Sequence, residues 1–239
     1  MINKSFLAVI PARGGSKRIP RKNIIEVAGK PLLAWTIEAA HKSKYVTRTV
    51  VTSEDKEILD VARRYDADVI ERSNELANDY AASEPVILDA IEKLEKLGNV
   101  YDYVILLQPT SPLRNNIDID MAVERLINSD ADSLISVYEP EHSPCKAFVM
   151  NKDNYIESLL KGKEPFMRKQ DLPKIFMPNG AIYITKINNF KCTMNLCPAK
   201  TIPFVMTLEK SIDVDTASDL EKIKMYLCND DEKNKKTLK

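Results

Sequence analysis

The sequence has few of the residues that common catalytic and cofactor motifs require. Its 239 residues include only two histidines, one tryptophan and six glycines. His41 and His142 have no nucleophile and acid arranged around them in the sequence, so a hydrolytic triad is poorly supported. The adjacent glycines at positions 14 and 15 are not followed by the further glycine of a P-loop or of a dinucleotide-binding fingerprint. A phosphate site in this chain must therefore follow another pattern.

The chain also lacks an excess of either charge and any long apolar run. It carries 35 lysines and arginines against 35 aspartates and glutamates, so its overall charge does not favour nucleic acid or an acidic membrane. No apolar run approaches the roughly 18 residues of a membrane span, and the N-terminal segment lacks the features of a signal peptide. The four cysteines form no Cys-x-x-Cys pair, which indicates reduced thiols rather than zinc or disulfides. We expect a cytoplasmic protein whose basic chemistry is local.

A cluster of cations directly follows the first predicted strand. Residues 6–10 are an apolar run typical of a buried strand, and residues 11–23 read PARGGSKRIPRKN. Two glycines allow positive φ and close approach of N–H groups to one anion, and the cations suit a polyphosphate. The cations are Arg13, Lys17, Arg18, Arg21 and Lys22. The alternative is a solvated basic loop, but the position at the carboxyl end of a strand, with a proline at each flank, favours a phosphate loop.

Apolar periodicity alternates between strand and helix along most of the chain. Strands are predicted at residues 6–10, 48–53, 67–70, 103–107, 133–137 and 179–184, and helices at 31–40, 55–65, 83–97, 117–128 and 213–228. This alternation predicts an α/β fold with a doubly wound, mostly parallel sheet, in which the uniformly apolar strand 103–107 is central. The polar loop QPTSPLR, residues 108–114, follows that strand, so both polar loops are expected to converge on one site.

The regular alternation fails between residues 140 and 178, a segment that we call the arm. It mixes prolines, lysines and isolated aromatics with hairpin-like pieces around residues 151–154. We predict an insertion that packs against a second subunit; the alternative is a surface excursion without a partner. The predicted organisation is a nucleotide-binding core (1–139), the arm (140–178), a completion of the core (179–228) and a disordered polar tail (229–239).

Two further pairs of polar residues are candidates for the site. Asp213 and Asp215 lie two residues apart before the last predicted helix, so in an extended segment they point to the same side. They suit a Mg²⁺ ion that bridges nucleotide phosphates, while the alternative makes Asp215 a helix N-cap. Arg72 and Ser83 could read a base, although spacing alone favours an N-cap role at Ser83.

Five segments of the chain resemble the CMP-sialic acid synthetase family, the cytidylyltransferases that activate nine-carbon acidic sugars. They are PARGGSKRIPRKN (11–23), ERSNELANDYAAS (71–83), LLQPTSPLR (106–114), RKQDLPKIFMPNGAIYI (168–184) and SIDVDTASDL (211–220). The resemblance covers nearly the whole chain. It implies a Rossmann-like nucleotidyltransferase fold and a homodimer in which the arm reaches into the partner's site. It also implies that the anomeric hydroxyl of a sugar acid attacks the α-phosphate of CTP and releases pyrophosphate.

The resemblance also implies roles for individual residues. Its triphosphate-binding cations match Arg13, Lys17 and Lys22, with Lys22 nearest the α-phosphate. Its cytidine contacts match Asn23, Arg72 and Ser83, and its Mg²⁺ carboxylates match Asp213 and Asp215. Its sugar-side positions match Gln108, Lys146, Lys169, Gln170, Asn179 and Tyr183. Lys22, Arg13 and Gln108 are the residues expected to act on the reacting groups.

One departure from the family pattern concerns the sugar. Where sialic acid members typically carry arginine before Pro-Asn-Gly, this chain has Met177, which replaces a fork of donors by an apolar group. PNGAIYI resembles the sialic and legionaminic branch, and the pseudaminic branch usually differs there. We therefore expect legionaminic acid or a derivative, followed by N-acetylneuraminic acid. The alternatives are pseudaminic acid, the eight-carbon acid Kdo, or a nucleotide-binding regulatory protein without turnover.

Overall fold

A seven-stranded sheet forms the centre of the protein. The computed structural model describes residues 4–77 and 82–237, with residues 229–237 as backbone only. The strands are β1 (Phe6–Pro11), β2 (Glu26–Val27), β3 (Lys30–Pro31), β4 (Val46–Ser53), β5 (Asp68–Glu71), β6 (Tyr103–Leu106), β7 (Ser133–Tyr138), β8 (Phe148–Met150), β9 (Ile156–Ser158), β10 (Met177–Lys186) and β11 (Thr201–Val205). The helices are α1 (Leu32–Lys42), α2 (Lys56–Arg64), α3 (Ser83–Lys96), α4 (Asn116–Ile127), α5 (Ile187–Thr193) and α6 (Ala217–Thr237).

The main sheet has the strand order β11-β7-β10-β6-β1-β4-β5. Its strands pair in parallel except for β10, which is antiparallel to both β6 and β7. Helices α1, α2 and α4 share one apolar cluster with the sheet, and α3 and α5 share a second one. Both faces are thus covered, which is why β1 and β6 are apolar throughout. The predicted doubly wound, mostly parallel α/β fold is confirmed.

Two elements of the sheet region have no counterpart in the predicted pattern. β11 contains Pro203, which argues against a central strand, and it lies at the edge of the sheet, where a missing N–H is tolerated. α5 has only 7 residues and lies between the last two strands of the sheet, so it is too short to show a helical period. Short elements of this kind depend on the sheet beside them for their stability.

The last helix is longer than predicted. We expected it to end at Cys228 and to be followed by a disordered tail, whereas α6 continues to Thr237. The added segment contains three lysines and one glutamate, which have high helix propensity, and it continues a helix that Leu220, Ile223 and Leu227 anchor in an apolar cluster. Within the described part of the chain, neither α6 nor any other helix combines the length and apolar character needed to cross a membrane.

The arm lies outside the main sheet and has a small sheet of its own. β8 and β9 pair as an antiparallel hairpin, with Asn151 N–H donating to the Tyr155 carbonyl at 2.9 Å. The predicted hairpin-like pieces are therefore confirmed, while the last two residues predicted in the arm open β10 instead. Its large exposed apolar side chains are Phe148, Val149, Met150, Tyr155, Ile156, Leu159, Leu160 and Phe166.

Candidate functional site

A cavity of ≈ 330 Å³, which we call the main cavity because it contains the predicted nucleotide-side residues, opens at the carboxyl ends of the central strands. It is lined by Pro11, Arg13, Ser16, Lys22, Asn23, Arg72, Leu76, Ala82, Ser83, Val86, Gln108, Pro109, Thr110, Asp213 and Asp215. These residues come from the loops after β1, β5 and β6, from the start of α3 and from the segment before α6. The two polar loops therefore converge as predicted, and most of the predicted nucleotide-side residues share one cavity.

The predicted sugar-side residues of the arm lie elsewhere. Lys169 and Gln170 line a separate cavity of ≈ 230 Å³ formed with Glu139 and neighbouring residues of the arm. Lys146 is exposed at the end of a short 3₁₀ helix. Lys17, predicted on the triphosphate, is not among the residues that line the main cavity. Within one described chain, the arm thus contributes no lining residue to the main cavity.

Asn179 and Tyr183 were predicted to contact the sugar, but neither lines the main cavity. The side-chain oxygen Oδ1 of Asn179 accepts from Ser136 Oγ at 2.6 Å and from the Ala181 N–H at 3.2 Å, and its Nδ2 donates to Ser211 Oγ at 2.9 Å. Tyr183 is half-buried against the apolar cluster beneath α3, and this burial raises the pKa of its phenol. The side-chain amide of Asn179 is hydrogen-bonded within the fold, and Tyr183 packs against the apolar cluster. Both side chains therefore stabilise the position of β10.

The glycine pair of the basic loop serves a different purpose from the predicted one. Neither Gly14 nor Gly15 has positive φ; the left-handed residue of this loop is Arg21, with φ 57°. The Gly14 N–H donates to Glu54 Oε1 at 2.7 Å, and a Cβ at Gly14 would collide with the carboxylate of Asp55. Glycine is needed there because the loop packs closely against the acidic residues that follow β4.

The cations of the loop differ in the groups that they contact. The Arg21 guanidinium bonds to the carboxylates of Asp55 and Glu57, and this contact holds the pKa of Asp55 below its ordinary value. Arg18 forms an ion pair with Asp215 at 3.0 Å. Of the five cations, only Arg13 and Lys22 are among the residues that line the cavity. The charge of Arg21 is paired within the fold and fastens the loop, and its contact with phosphate stays a prediction.

The two predicted metal carboxylates are held on either side of a buried valine. Val214 is fully buried in an apolar cluster that includes Ile19 of the basic loop and Ile223 of α6. The Lys22 amino group donates to the Val214 carbonyl at 2.6 Å and lies 3.5 Å from Asp215 Oδ1. Burial of Val214 turns its two neighbours toward the other side of the segment, where both line the cavity.

The acidic pair fits a hard divalent cation. Asp213 Oδ1 is buried without a hydrogen-bond partner, and burial raises the pKa of this carboxyl, with the charge of Asp215 adding to the effect and a Thr110 hydrogen bond opposing it. The N-cap alternative for Asp215 is not supported, because Thr216 and Asp219 satisfy each other at the start of α6. Among the side chains that the structure describes, in residues 4–77 and 82–228, no group of three or more His, Cys, Asp or Glu is arranged so that it could hold a metal ion. A metal here would need phosphate or water oxygens as further ligands, as Mg²⁺ commonly does.

The opposite wall of the cavity is formed by Arg72 and the start of α3. Arg72 is 3% exposed, and its Nε and Nη2 donate to Glu54 Oε2 at 3.2 and 2.9 Å. Ser83 is the first residue of α3 rather than its N-cap, a position taken by Ala82 without a side-chain bond. Asn23 donates from its amide to the Arg13 carbonyl at 2.9 Å, so it also braces the basic loop.

The loop after β6 is positioned by a buried arginine and a glycine. Arg114 donates to the Ala181 carbonyl at 3.2 Å, to Thr36 Oγ1 at 2.9 Å and to the Gln108 carbonyl at 3.3 Å, and burial lowers its pKa to about 10. Gly180 has φ +74°, and a Cβ there would collide with Gln108 Oε1. The amide of Gln108 therefore rests on Gly180 while its backbone is held by Arg114.

Four residues that shape the site were missed from the sequence: Glu54, Asp55, Arg114 and Gly180. One signal was available for the first two, because they follow β4 directly and so lie at the same edge of the sheet as the two loops. Arg114 and Gly180 stood inside noted motifs, but nothing in the sequence indicated which groups they contact.

Comparisons with known proteins agree with this geometry. The family model described as Cytidylyltransferase matches residues 7–236. A pseudaminic acid cytidylyltransferase of Campylobacter jejuni is 37% identical over 216 residues, which are 90% of this chain and 93% of that protein. A CMP-N,N'-diacetyllegionaminic acid synthase of Legionella pneumophila is 36% identical over 218 residues, with 90% and 92% covered. An N-acylneuraminate cytidylyltransferase of Streptococcus agalactiae is 32% identical over 215 residues, with 89% and 51% covered.

Solved structures share the fold. A CMP:2-keto-3-deoxy-manno-octonic acid synthetase complexed with CTP superposes with a TM-score of 0.70 at 19% identity, covering 95% of this chain and 99% of the other. A 4-diphosphocytidyl-2C-methyl-D-erythritol synthase from Anaerococcus prevotii gives 0.61 at 14% identity, covering 94% and 96%. At these identities the likeness concerns the fold alone.

Proposed function

Because this chain belongs to the cytidylyltransferase family, we propose that it transfers CMP from CTP to the anomeric hydroxyl of a nonulosonic acid and releases pyrophosphate. The observation that carries the proposal is the shared cavity. It combines Arg13 and Lys22 of the basic loop with the acidic pair Asp213 and Asp215, and it has Arg72 on the opposite wall. Cations for phosphates, carboxylates for a metal and a buried arginine for a base are the groups this reaction needs.

In the proposed reaction, the sugar hydroxyl releases its proton to solvent and its oxygen forms a bond to the α-phosphorus. The bridging oxygen leaves with pyrophosphate and the bonding electrons. Arg13 and Lys22 offset the charge of the triphosphate as it is redistributed. Lys22 is restrained by its bond to the Val214 carbonyl, so its ammonium is held at the cavity wall. Such preorganisation is the main way in which a protein accelerates phosphoryl or nucleotidyl transfer.

We propose that Asp213 and Asp215 hold Mg²⁺ together with the triphosphate. The proposal is supported by the unpartnered buried oxygen of Asp213 and by the capping of α6 through Thr216 and Asp219, which leaves Asp215 available. When bound, the metal would neutralise phosphate charge and lower the pKa of the attacking hydroxyl. Arg18, an exposed side chain that pairs with Asp215, is the nearby cation that would then turn to phosphate, while Lys22 is already held at the cavity wall.

The cytidine is proposed to lie between Arg72, Asn23 and Ser83. Arg72 and Ser83 line the wall opposite the acidic pair, and the N-terminus of α3 faces the same space. Gln108, supported by Gly180, is proposed to meet the sugar acid at the other end of the cavity. Lys17 stays a proposed triphosphate contact because it belongs to the same loop.

We propose legionaminic acid or a derivative as the sugar, because PNGAIYI resembles that branch and the Legionella pneumophila relative is 36% identical. Pseudaminic acid is a second candidate, favoured by the 37% identity to the Campylobacter jejuni relative. These identities differ too little to separate the two sugars. We propose that the apolar side chain of Met177, at the start of β10, contacts the substituents by which the two sugars differ.

We also propose a homodimer in which the arm of one subunit completes the sugar end of the other. The arm carries Phe166 and Met150, which are 87% and 70% exposed, beside further apolar side chains. An exposed apolar surface of this kind is typical of an interface. Lys146, Lys169, Gln170, Asn179 and Tyr183 are the proposed sugar-side residues; the first three would come from the partner's arm, and the last two would act by holding β10.

The test is a pyrophosphate-release assay with CTP, Mg²⁺ and a sugar panel. The panel contains legionaminic, pseudaminic and N-acetylneuraminic acids and Kdo, and mass spectrometry identifies the CMP-sugar. We expect turnover with a nonulosonic acid and the highest kcat/KM for legionaminic acid. A preference for pseudaminic acid would replace the proposed sugar and keep the reaction, while silence across the panel would refute the reaction.

A further inference from the structure

The end of β4 joins the two walls of the main cavity. The Thr52 carbonyl accepts from the Ala12 N–H at 3.0 Å, at the start of the basic loop, and the Ser53 carbonyl accepts from the Arg72 N–H at 3.1 Å. The neighbouring strands β1 and β5 are thereby kept in register with β4 one residue beyond their last paired residues. The next residue of the chain, Glu54, continues this connection through its side chain.

Glu54 divides its two carboxylate oxygens between the two walls. Oε1 accepts from the Gly14 N–H at 2.7 Å, and Oε2 accepts from Arg72 Nη2 at 2.9 Å and Nε at 3.2 Å. The Glu54 side chain is 14% exposed and that of Arg72 is 3% exposed. Glu54 is not among the residues that line the cavity, whereas Arg72 is. The carboxylate therefore lies behind the wall that the ligand would meet.

The chemistry of this contact requires a carboxylate. A buried guanidinium needs a paired anion, because an unpaired buried charge is strongly unfavourable, and an ionised carboxylate accepts at both oxygens. A glutamine at this position would present one oxygen and one NH₂ group. One of its two partners, the Gly14 N–H or the Arg72 guanidinium, would then face a donor.

We propose that Glu54 is a positioning residue for nucleobase selection, which fixes Arg72 against the base and sets the distance between this arginine and the triphosphate loop. The inference rests on the proposed function through the assignment of Arg72 to the cytidine. Glu54 itself touches no substrate and acts through Arg72 and Gly14. Its loss should weaken CTP binding and relax the preference for CTP over UTP, while turnover at saturating CTP changes little.

The experiment measures binding of CTP and UTP by calorimetry, without sugar, for the wild type, Glu54→Gln and Glu54→Asp. We expect Glu54→Gln to weaken CTP binding by about tenfold and to lower the CTP/UTP ratio by a similar factor, with a smaller effect for Glu54→Asp, which keeps the charge but has a shorter reach. The matched control is Glu92→Gln, which alters an exposed carboxylate on α3 and should leave both affinities unchanged. Circular dichroism and thermal melting establish that each variant folds. If Glu54→Gln does not fold, the comparison of Glu54→Asp with the wild type tests the proposal.

A double-mutant cycle separates positioning from general structural support. If Glu54 acts through Arg72, Glu54→Gln should cost little further CTP affinity in an Arg72→Gln background. Additive losses, an unchanged CTP/UTP ratio, or a fall in kcat with unchanged KM for CTP would each overturn the inference. Wild-type protein that binds CTP but turns over no sugar would refute the proposed reaction and leave the role of Glu54 standing.

Discussion

The main cavity and the arm are built in opposite ways. Around the cavity, polar side chains are buried and paired, as in the contact of Arg72 with Glu54. In the arm, large apolar side chains such as Ile156 and Phe166 are exposed, and the hairpin β8-β9 pairs only with itself among the described strands. The wall of the cavity at Arg72 is thus paired and buried within one chain, whereas the arm has an apolar surface that one chain does not cover.

This difference indicates how the two substrates would be recognised. A triphosphate and a base would be bound by groups that one chain holds in fixed positions, because the loops after β1, β4 and β5 brace one another. The predicted sugar contacts of the arm do not reach that cavity in a single chain. We therefore expect a single subunit to bind the nucleotide, and we expect selection of the sugar to depend on dimerisation.

The largest expected effect is that of Lys22→Ala, which tests the role of the main cavity in nucleotidyl transfer. Removing the ammonium at the cavity wall should lower kcat by about 10³-fold, or about 4 kcal/mol of transition-state stabilisation. Steady-state pyrophosphate release measures it, with Lys56→Ala, on the exposed side of α2, as the control. Unchanged turnover in a folded Lys22→Ala protein would remove this residue from the mechanism.

The next effect is that of Ile156→Asp, which tests whether the arm is an interface. A charge placed in a buried apolar contact should weaken dimerisation by about 3 kcal/mol, or roughly 100-fold, and should raise KM for the sugar more than KM for CTP. Light scattering after gel filtration gives the oligomeric state. Leu97→Asp, at an equally exposed apolar position after α3, is the control and should stay dimeric. A monomeric variant with full sugar affinity would contradict the proposed dependence on assembly.

A smaller effect is expected at the junction of the two regions, where Gln108 rests on Gly180. Gly180→Ala should raise KM for the sugar by about tenfold, about 1.4 kcal/mol, because its Cβ must displace the Gln108 amide. Gly29→Ala is the matched control, since Gly29 also has positive φ, +85°, but open space around a Cβ. Both variants should lose stability through backbone strain, and only Gly180→Ala should affect the sugar. Equal kinetics in the two would mean that Gln108 does not select the sugar.

The smallest effect concerns the pH dependence of the brace behind the basic loop. The Arg21 contact lowers the folded-state pKa of Asp55 from its ordinary 3.8, so its contribution to stability is present above pH 3.8 and lost as pH falls through the lower folded-state value. Asp55→Asn should therefore reduce the free energy of unfolding at pH 7 by about 0.5–1 kcal/mol, and this difference should shrink below pH 3.8. Thermal melts across pH measure it, with Asp60→Asn, in an exposed pair on α2, as control. A difference that persists in acid would exclude the ion pair as its source.

Much of the site was predictable because its parts follow predicted strands. Lys22 and Gln108 could be assigned to one site, since the carboxyl ends of parallel strands meet at one edge of the sheet. The spacing of Asp213 and Asp215 predicted two carboxylates on one side of an extended segment, and the burial of Val214 between them explains why both line the cavity.

Other residues could not be assigned because their partners are chosen in three dimensions. Arg21 and Asn179 have the chemistry of ligands, yet the first bonds to Asp55 and the second to Ser136 and Ser211. Likewise, the apolar pattern of β10 predicts a strand but does not indicate its direction, and the strand is antiparallel to both neighbours. A single acidic residue such as Glu54 belongs to no motif or periodic pattern, so the sequence does not indicate its role.

The order of apolar and polar segments was enough to establish the α/β fold, the two polar loops and the residue types that the chemistry needs. Local periodicity and the convergence of parallel strands carry that information along the chain. Which polar groups face a ligand and which hold the loops depends instead on contacts between distant segments, such as Lys22 and Asp215, 193 positions apart. A charged side chain pairs with the groups that the folded chain places beside it. Only the packing of the sheet, α6 and the end of β4 establishes which groups those are.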